Sequence, residues 1–534
     1  GFLNTRRSWL KTFISSDTGF CTGEICNKNN GCYYGKLKKN IFQAHIIVAN
    51  HSLLMTNVSQ EGLLPPFCSV IVDEAHNLVK SAYDQFKVEW SESQVAYQLQ
   101  SLDPSHPRSN RWNNILNHIA EINIDVKDCR VDLKNAVSDA LESLKNFMLD
   151  LADDNHHRYS PAKAYQDKPI INNIDKIYAS TKLSLDSLKK SFETIFSILE
   201  KMKKMILEID PKRTDFTVLH SIIERGIETS SVLLNTIVHL TENQNPEWVY
   251  WMEGEFKRNK SGSEKLQLSL HASLVDVSDT LHKSFFNQLD NCILTSATLK
   301  VQNSFDYFLG RIGLGDFGNV VTKDFLSPFL YNEQVNYYQY GGAREISNDP
   351  KAIADIIFHL HKSFNKRIMV LFTSIKALSD TAKELRAKNG GGDIPLFAQT
   401  RGASKPAIIK GMHQNMNGVL FGTNSFWEGV DFPGELLEIL IVVKLPFDVP
   451  TDPMIKSYSG FLDRGGVNSF MNYTVPECAI KYRQGFGRLI RTIYDSGIFI
   501  SLDNRITNKR YGEIFLNTIP VDPINFSDYR TIEN

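Results

Sequence analysis

The stretch Ser69-Val70-Ile71-Val72-Asp73-Glu74-Ala75-His76 is a short apolar run that ends abruptly in two carboxylates and, two positions on, a histidine. A β-branched run of this length suits a strand buried on both faces of a parallel sheet. In open α/β sheets the chemistry gathers outside the carboxyl ends of the strands, which places Asp73 and Glu74 at a crevice. Alone, the pair fits a solvated strand end equally well. Three further motifs follow in a fixed order: Leu294-Thr295-Ser296-Ala297-Thr298-Leu299, then Gly422-Thr423-Asn424-Ser425-Phe426-Trp427-Glu428-Gly429-Val430-Asp431, then Gln484-Gly485-Phe486-Gly487-Arg488-Leu489-Ile490-Arg491. Four in series point to phosphate chemistry rather than to a chance edge.

Around these motifs the chain alternates short apolar runs with helical patterns, as a parallel sheet requires. Ala44–His51 reads as a further buried strand, which would bring Asn50 and His51 to the same crevice. Asn291–Thr295 reads as another strand of that sheet, and Ile368–Phe372, Gly418–Phe421 and Leu437–Val443 as strands of a second α/β unit, with a helix over Ala377–Ala387. Between Trp90 and Phe285 the character changes. Leu185, Leu188, Phe192, Ile195, Leu199, Met202, Ile206 and Ile209 follow at steps of three and four, the spacing of a coiled-coil seam. Leu219, Ile222, Leu233, Ile237 and Leu240 supply an antiparallel partner, and the hairpin reads either as a structural element or as a gate for DNA. Leu266, Leu268 and Leu270 alternate with polar residues and predict a return to sheet.

The totals set bounds on this organisation. A chain of 534 residues exceeds what one hydrophobic core supports, so two to four domains are expected. No run approaches the roughly 18 apolar residues of a membrane span, no charged-then-apolar leader opens the sequence, and the chain reads as cytoplasmic with no membrane partner. The net charge of −1 gives no global pull on nucleic acid, so DNA binding would rest on local patches such as Lys36, Lys38 and Lys39. Of the seven cysteines, Cys21, Cys26 and Cys32 crowd into one hydrophilic stretch, which favours a metal site over a disulfide framework. Zinc and iron-sulfur clusters both take thiolates, and spacing alone does not choose between them. Cys68 reads as a small buried hydrophobe.

The order and wording of the four motifs resemble the DinG/XPD branch of superfamily 2, the 5′-to-3′ DNA helicases. The resemblance implies two RecA-like α/β motor domains with an iron-sulfur insertion and a helical, arch-like insertion. Its boundaries would be 1–45 for part of the cluster domain, 46–90 and 286–326 for motor domain 1, 91–285 for the helical insertion and 327–534 for motor domain 2. It implies ATP and Mg2+ as cofactors, single-stranded and duplex DNA as partners, and a [4Fe-4S] cluster held by Cys21, Cys26 and Cys32 with one upstream cysteine. The rival readings are an ATP-independent DNA-binding scaffold and a DinG-like nuclease.

Hydrolysis of a nucleotide needs a divalent cation, an oriented water and positive charge against the terminal phosphate. Asp73 is the expected cation ligand, Glu74 the base, and His76 the link to the neighbouring strand end at Thr295 and Ser296. Arg488 and Arg491, three apart on an expected helix, would share a face and grip one phosphate, with Gln484 one turn earlier sensing the nucleotide. Gly487 would admit a close backbone approach, and a surface salt-bridge helix is the plainer alternative. The resemblance implies that Gly429 and Asp431 couple nucleotide to DNA, with Thr423 or Ser425 at the DNA backbone; Trp427 would stack on a base or pack in the core. A motor of this kind also carries Gly-x-x-x-x-Gly-Lys-Ser/Thr, and no such motif occurs; Gly310–Gly318 lacks the lysine. The expectation is an N-terminally truncated chain, short of that loop and of the fourth cysteine, and inactive alone as an ATPase.

Overall fold

The computed structural model describes residues 32–60, 62–106, 116, 124–160, 168–209, 214–242, 244–258, 262, 264–388, 394–399, 404–427 and 437–533. Its strands are β1 (Ser69–Val72), β2 (Val88–Ser91), β3 (Trp248–Arg258), β4 (Glu264–Leu274), β5 (Asn291–Leu294), β6 (Val335–Tyr340), β7 (Ile368–Leu371), β8 (Leu396–Ala398), β9 (Val419–Gly422), β10 (Ile439–Val442), β11 (Gly497–Ser501) and β12 (Ile524–Phe526). Two compact units divide the chain. The first holds 1–68, 80–277 and 451–457; the second holds 69–79, 278–450 and 458–534.

The first unit is built on the heptad-like stripe. Helix Lys182–Ile209 buries Leu185, Leu188, Phe192, Ile195, Leu199, Met202 and Ile206. Its stripe faces two helices, not the single expected partner: Thr214–Thr241 brings Leu219, Leu233, Ile237 and Leu240, and Ile124–Asn155 brings Leu133, Val137, Leu144, Phe147 and Leu151 to the same core. The antiparallel sheet β2-β4-β3 closes this core, with Leu266, Leu268 and Leu270 of β4 pointing inward as their alternation predicts. Trp90 of β2 meets Phe192 edge to face at 5.9 Å. Each such side chain contributes about 1.5–3 kcal/mol on burial, so the helices and the sheet stand or fall together.

Ala44–Asn50 is not a strand. Residues 44–50 form no ladder, Ile46 and Val48 are exposed, and Asn50 instead caps helix His51–Ser59 by accepting from Leu53 N at 2.8 Å. A strand is stabilised by its neighbours, and among the described residues none pairs with this segment.

The second unit carries a sheet in the order β12-β6-β11-β10-β7-β9-β8, with every pairing parallel. β7, β9 and β10 are buried at every position, and separate hydrophobic cores cover the two faces. That is why these strands read as unbroken apolar runs rather than as alternations. Helix Ile375–Lys388 lies where its periodicity placed it. β1 and β5 form a separate parallel pair in the register Ser69↔Asn291 to Val72↔Leu294. This pair departs from the expected burial on both faces, because Ile71 is 71% and Ile293 57% exposed. With two strands only, one face has no layer over it among the described residues. Cys68, just before β1, is likewise exposed rather than in the core.

Candidate functional site

The parallel register of β1 and β5 places the first two motifs side by side. Thr295 N donates to Val72 O at 2.9 Å and Ala75 N to Thr295 O at 3.0 Å, extending the ladder past both strand ends. At that point the chain turns through Glu74, whose backbone is left-handed at φ 48° and ψ 46°. The Asp73 carboxylate steadies the turn by accepting from Glu74 N at 2.9 Å. Asp73 and Glu74 are exposed beside the buried Val72 and Ala75, so the carboxylates face outward from a fixed base.

A side-chain network joins the two strand ends. His76 Nδ1 lies 2.8 Å from Ser296 Oγ and 3.3 Å from Glu74 Oε2. Ser296 Oγ is 3.3 Å from the same Glu74 oxygen and accepts from Thr298 N at 3.2 Å. Glu74, His76, Ser296 and Thr298 therefore form one cluster, in which the Glu74 carboxylate meets the second strand both directly at Ser296 and through the His76 imidazole.

The fourth motif lies in the same compact unit but is not wholly helical. Helix Val475–Phe486 ends before Arg488, and Gly487 is its cap. Arg488 and Arg491 hence share no helix face, contrary to the spacing argument. The reason is local. Asp495 accepts from Arg491 N at 2.7 Å, Thr492 N at 2.8 Å and Thr492 Oγ1 at 2.6 Å, winding the chain into a tight loop. Gln334 Nε2 binds the carbonyls of Thr492, Ile493 and Asp495 from outside. Neither Asp495 nor Gln334 was picked out from the sequence; an aspartate four residues after an arginine was the available signal for the loop.

Arg488 donates through Nε and Nη2 to Trp427 O at 3.0 and 2.9 Å, joining the third motif to the fourth. The Trp427 ring is buried in the core, not offered to a base. It is Gly485, not Gly487, that permits a close approach: a Cβ on Gly485 would lie 2.6 Å from the Trp427 ring, whereas one on Gly487 would meet only ordinary contacts. Thr423 Oγ1 and N both reach Gln399 Oε1 at 2.9 Å. Lys405 adds a second cation: its Nζ lies 5.4 Å from the Phe426 ring centre, and burial, then the Arg488 charge, push its pKa down. Glu428, Gly429 and Asp431 lie outside the described residues.

Of the clustered cysteines, Cys21 and Cys26 also lie outside the described residues. Cys32 caps helix Tyr33–Gln43, its Sγ accepting from Gly35 N at 3.3 Å. Among the described residues no helix is long and apolar enough to cross a membrane.

A DEAD_2 profile matches residues 21–95 and a Helicase C-terminal domain profile matches residues 357–522. The chain is 27% identical over 512 residues to the 3′-5′ exonuclease DinG of Bacillus subtilis, covering 92% of this chain and 53% of that protein. It is 28% identical over 519 residues to the ATP-dependent DNA helicase YoaA of Haemophilus influenzae, at 95% and 71% coverage. It is 26% identical over 557 residues to the ATP-dependent DNA helicase DinG of Photobacterium profundum, at 96% and 74%. The chain thus spans about half of the first of these relatives and under three quarters of the other two. A solved XPD helicase matches with a TM-score of 0.51 at 14% identity over 94% of this chain and 77% of that one, a likeness of fold.

Proposed function

We propose, from the similarity of this chain to the DinG and YoaA helicases, that it supplies most of an ATP-driven DNA motor. The observation that carries the reading is the Glu74–His76–Ser296 cluster, which joins the first two motifs across the ends of a parallel strand pair. In this reading Asp73 would hold Mg2+, and Glu74 would orient and deprotonate the attacking water. Magnesium, when bound, neutralises charge on the phosphates. Arg488 and Arg491 stabilise the charge that spreads onto the terminal phosphoryl oxygens, Gln484 senses the nucleotide, and Gly429 and Asp431 relay its state to DNA.

His76 has a distinct part. Bonded to Glu74 and Ser296 together, it registers whether the Glu74 carboxylate is engaged and passes that to β5. The translocation cycle then follows from making and breaking this contact as nucleotide comes and goes. Cys21, Cys26 and Cys32 are assigned to a [4Fe-4S] cluster, which Cys32 suits through its helix-capping thiol. The helical insertion, 91–285, is assigned the role of an arch over DNA.

The test is Glu74→Gln in the full-length protein. It removes the base and keeps the shape, so ATP turnover should fall by at least about a hundredfold while ATP binding stays within a few-fold of the parent. Turnover near the parental rate would remove Glu74 from the reaction.

A further inference from the structure

Helix Val475–Phe486 carries Gln484 and leads straight into Arg488, so whatever sets this helix sets both side chains. Its first turn presents Glu477. That carboxylate accepts from Tyr307 Oη at 2.5 Å and lies 3.9 Å from Arg311 Nε. Tyr307 and Arg311 are one turn apart on helix Asp306–Arg311, a short distance along the chain from Ser296 and Thr298.

The grip is firm. The Arg311 side chain is 8% exposed, and its guanidinium sits 4.1 Å from the Tyr458 ring centre and 5.1 Å from that of Tyr473. A buried guanidinium is costly to leave uncompensated, so it stays where the rings and the carboxylate match it. Burial, then the nearby Glu477 charge, pushes the Tyr307 phenol up, which keeps it a protonated donor to Glu477. A π-helical turn, Phe470–Thr474, immediately precedes helix Val475–Phe486 and contributes Tyr473 to the cage. Such turns are often found at functional sites.

We propose that Tyr307 and Arg311, acting through Glu477, are positioning residues for Arg488. The route is continuous within one compact unit. Glu74 and His76 contact Ser296; the chain runs from Thr298 to Tyr307 and Arg311; these hold Glu477; and the helix, about 18 Å long, ends at Phe486, two residues before Arg488. A change at the Ser296 strand end is thereby delivered to the arginine as a small shift of a rigid lever. Arg488 itself spans to Trp427 O, so such a shift changes how its guanidinium is aimed.

The inference rests on the reading that Arg488 acts on the phosphate, and the experiment separates the two. Tyr307→Phe, Glu477→Gln and Arg488→Ala are made singly, and the first two are also combined with Arg488→Ala, in the full-length protein. DNA-stimulated ATP turnover and thermal melting are measured. Tyr307→Phe and Glu477→Gln should each lower kcat by about tenfold, leave KM for ATP within about twofold, and cause no further loss in the Arg488→Ala background. Single variants at the parental kcat overturn the proposal, as do losses that multiply with that of Arg488→Ala, since a merely structural role acts independently. If Arg488→Ala itself turns over like the parent, the phosphate reading fails, and the proposal fails with it. Tyr307→Phe removes one oxygen and keeps the ring, so a folded protein is available for the decisive comparison.

Discussion

Glu74 is held in a left-handed conformation that costs a non-glycine residue on the order of 1–3 kcal/mol. Asp73 and the two strand ends hold it there, and the outcome is a carboxylate aimed at Ser296 and His76 rather than lying along β1. The arginines are set with equal definition by different means: Trp427 O receives Arg488, and Asp495 shapes the loop of Arg491. Arg488→Ala and Arg491→Ala should each lower DNA-stimulated ATP turnover by about a thousandfold, because a positioned guanidinium stabilises the transition state more than the ground state. Lysine should rescue little at either position, since an ammonium cannot make the forked contact. The comparison is made per folded molecule. Variants that bind single-stranded DNA and hydrolyse ATP like the parent would leave the DNA-binding scaffold as the better reading.

At the scale of elements, hydrophobic period predicted helices and inner strands well, while neighbours decided the exceptions. β7, β9 and β10 are continuous apolar runs because both faces are covered, and the sequence shows it. Residues 44–50 have equal β-propensity and form no strand, since nothing pairs with them among the described residues. The β3–β4 hairpin carries a further consequence. His271 on β4 is 3% exposed, stacked on Trp251 at 5.2 Å, and bonded through Nε2 to Ser269 Oγ at 2.8 Å. Burial first, then the Lys87 charge, hold its pKa down at about 4, against the opposing pull of Glu253. The unfolded chain binds this proton near the ordinary histidine value of about 6.5, so between there and about 4 the unfolded state holds more protons. Stability should therefore fall as pH drops from 7 to 5. His271→Gln should reduce that loss in urea denaturation of the first unit; an unchanged pH dependence would mean that His271 does not titrate on unfolding.

At the scale of the whole molecule, the proposed helicase reading predicts that the anaerobically purified full-length protein is brown, with the broad visible absorbance of thiolate-bound iron, and that Cys26→Ser bleaches it. A colourless protein with stoichiometric zinc would overturn the cluster. The order of the motifs, the parallel α/β class of the second unit and the helical character of the insertion were legible in the sequence, because each depends on local period and on residue types confined to strand ends. The pairing of β1 with β5 could only be inferred, since register is a property of two strands and neither states its partner. Two features came from the tertiary structure alone. The loop after Phe486 took Arg488 and Arg491 off a common helix face, because Asp495 and Gln334 offered its backbone better partners than another helical turn would. The contact of Tyr307 and Arg311 with Glu477 joins residues remote in sequence, and side chains carry no sign of a partner until the fold brings it within reach. The sequence determined which residue types stand at the strand ends; packing decided which of their atoms lie within reach of one another.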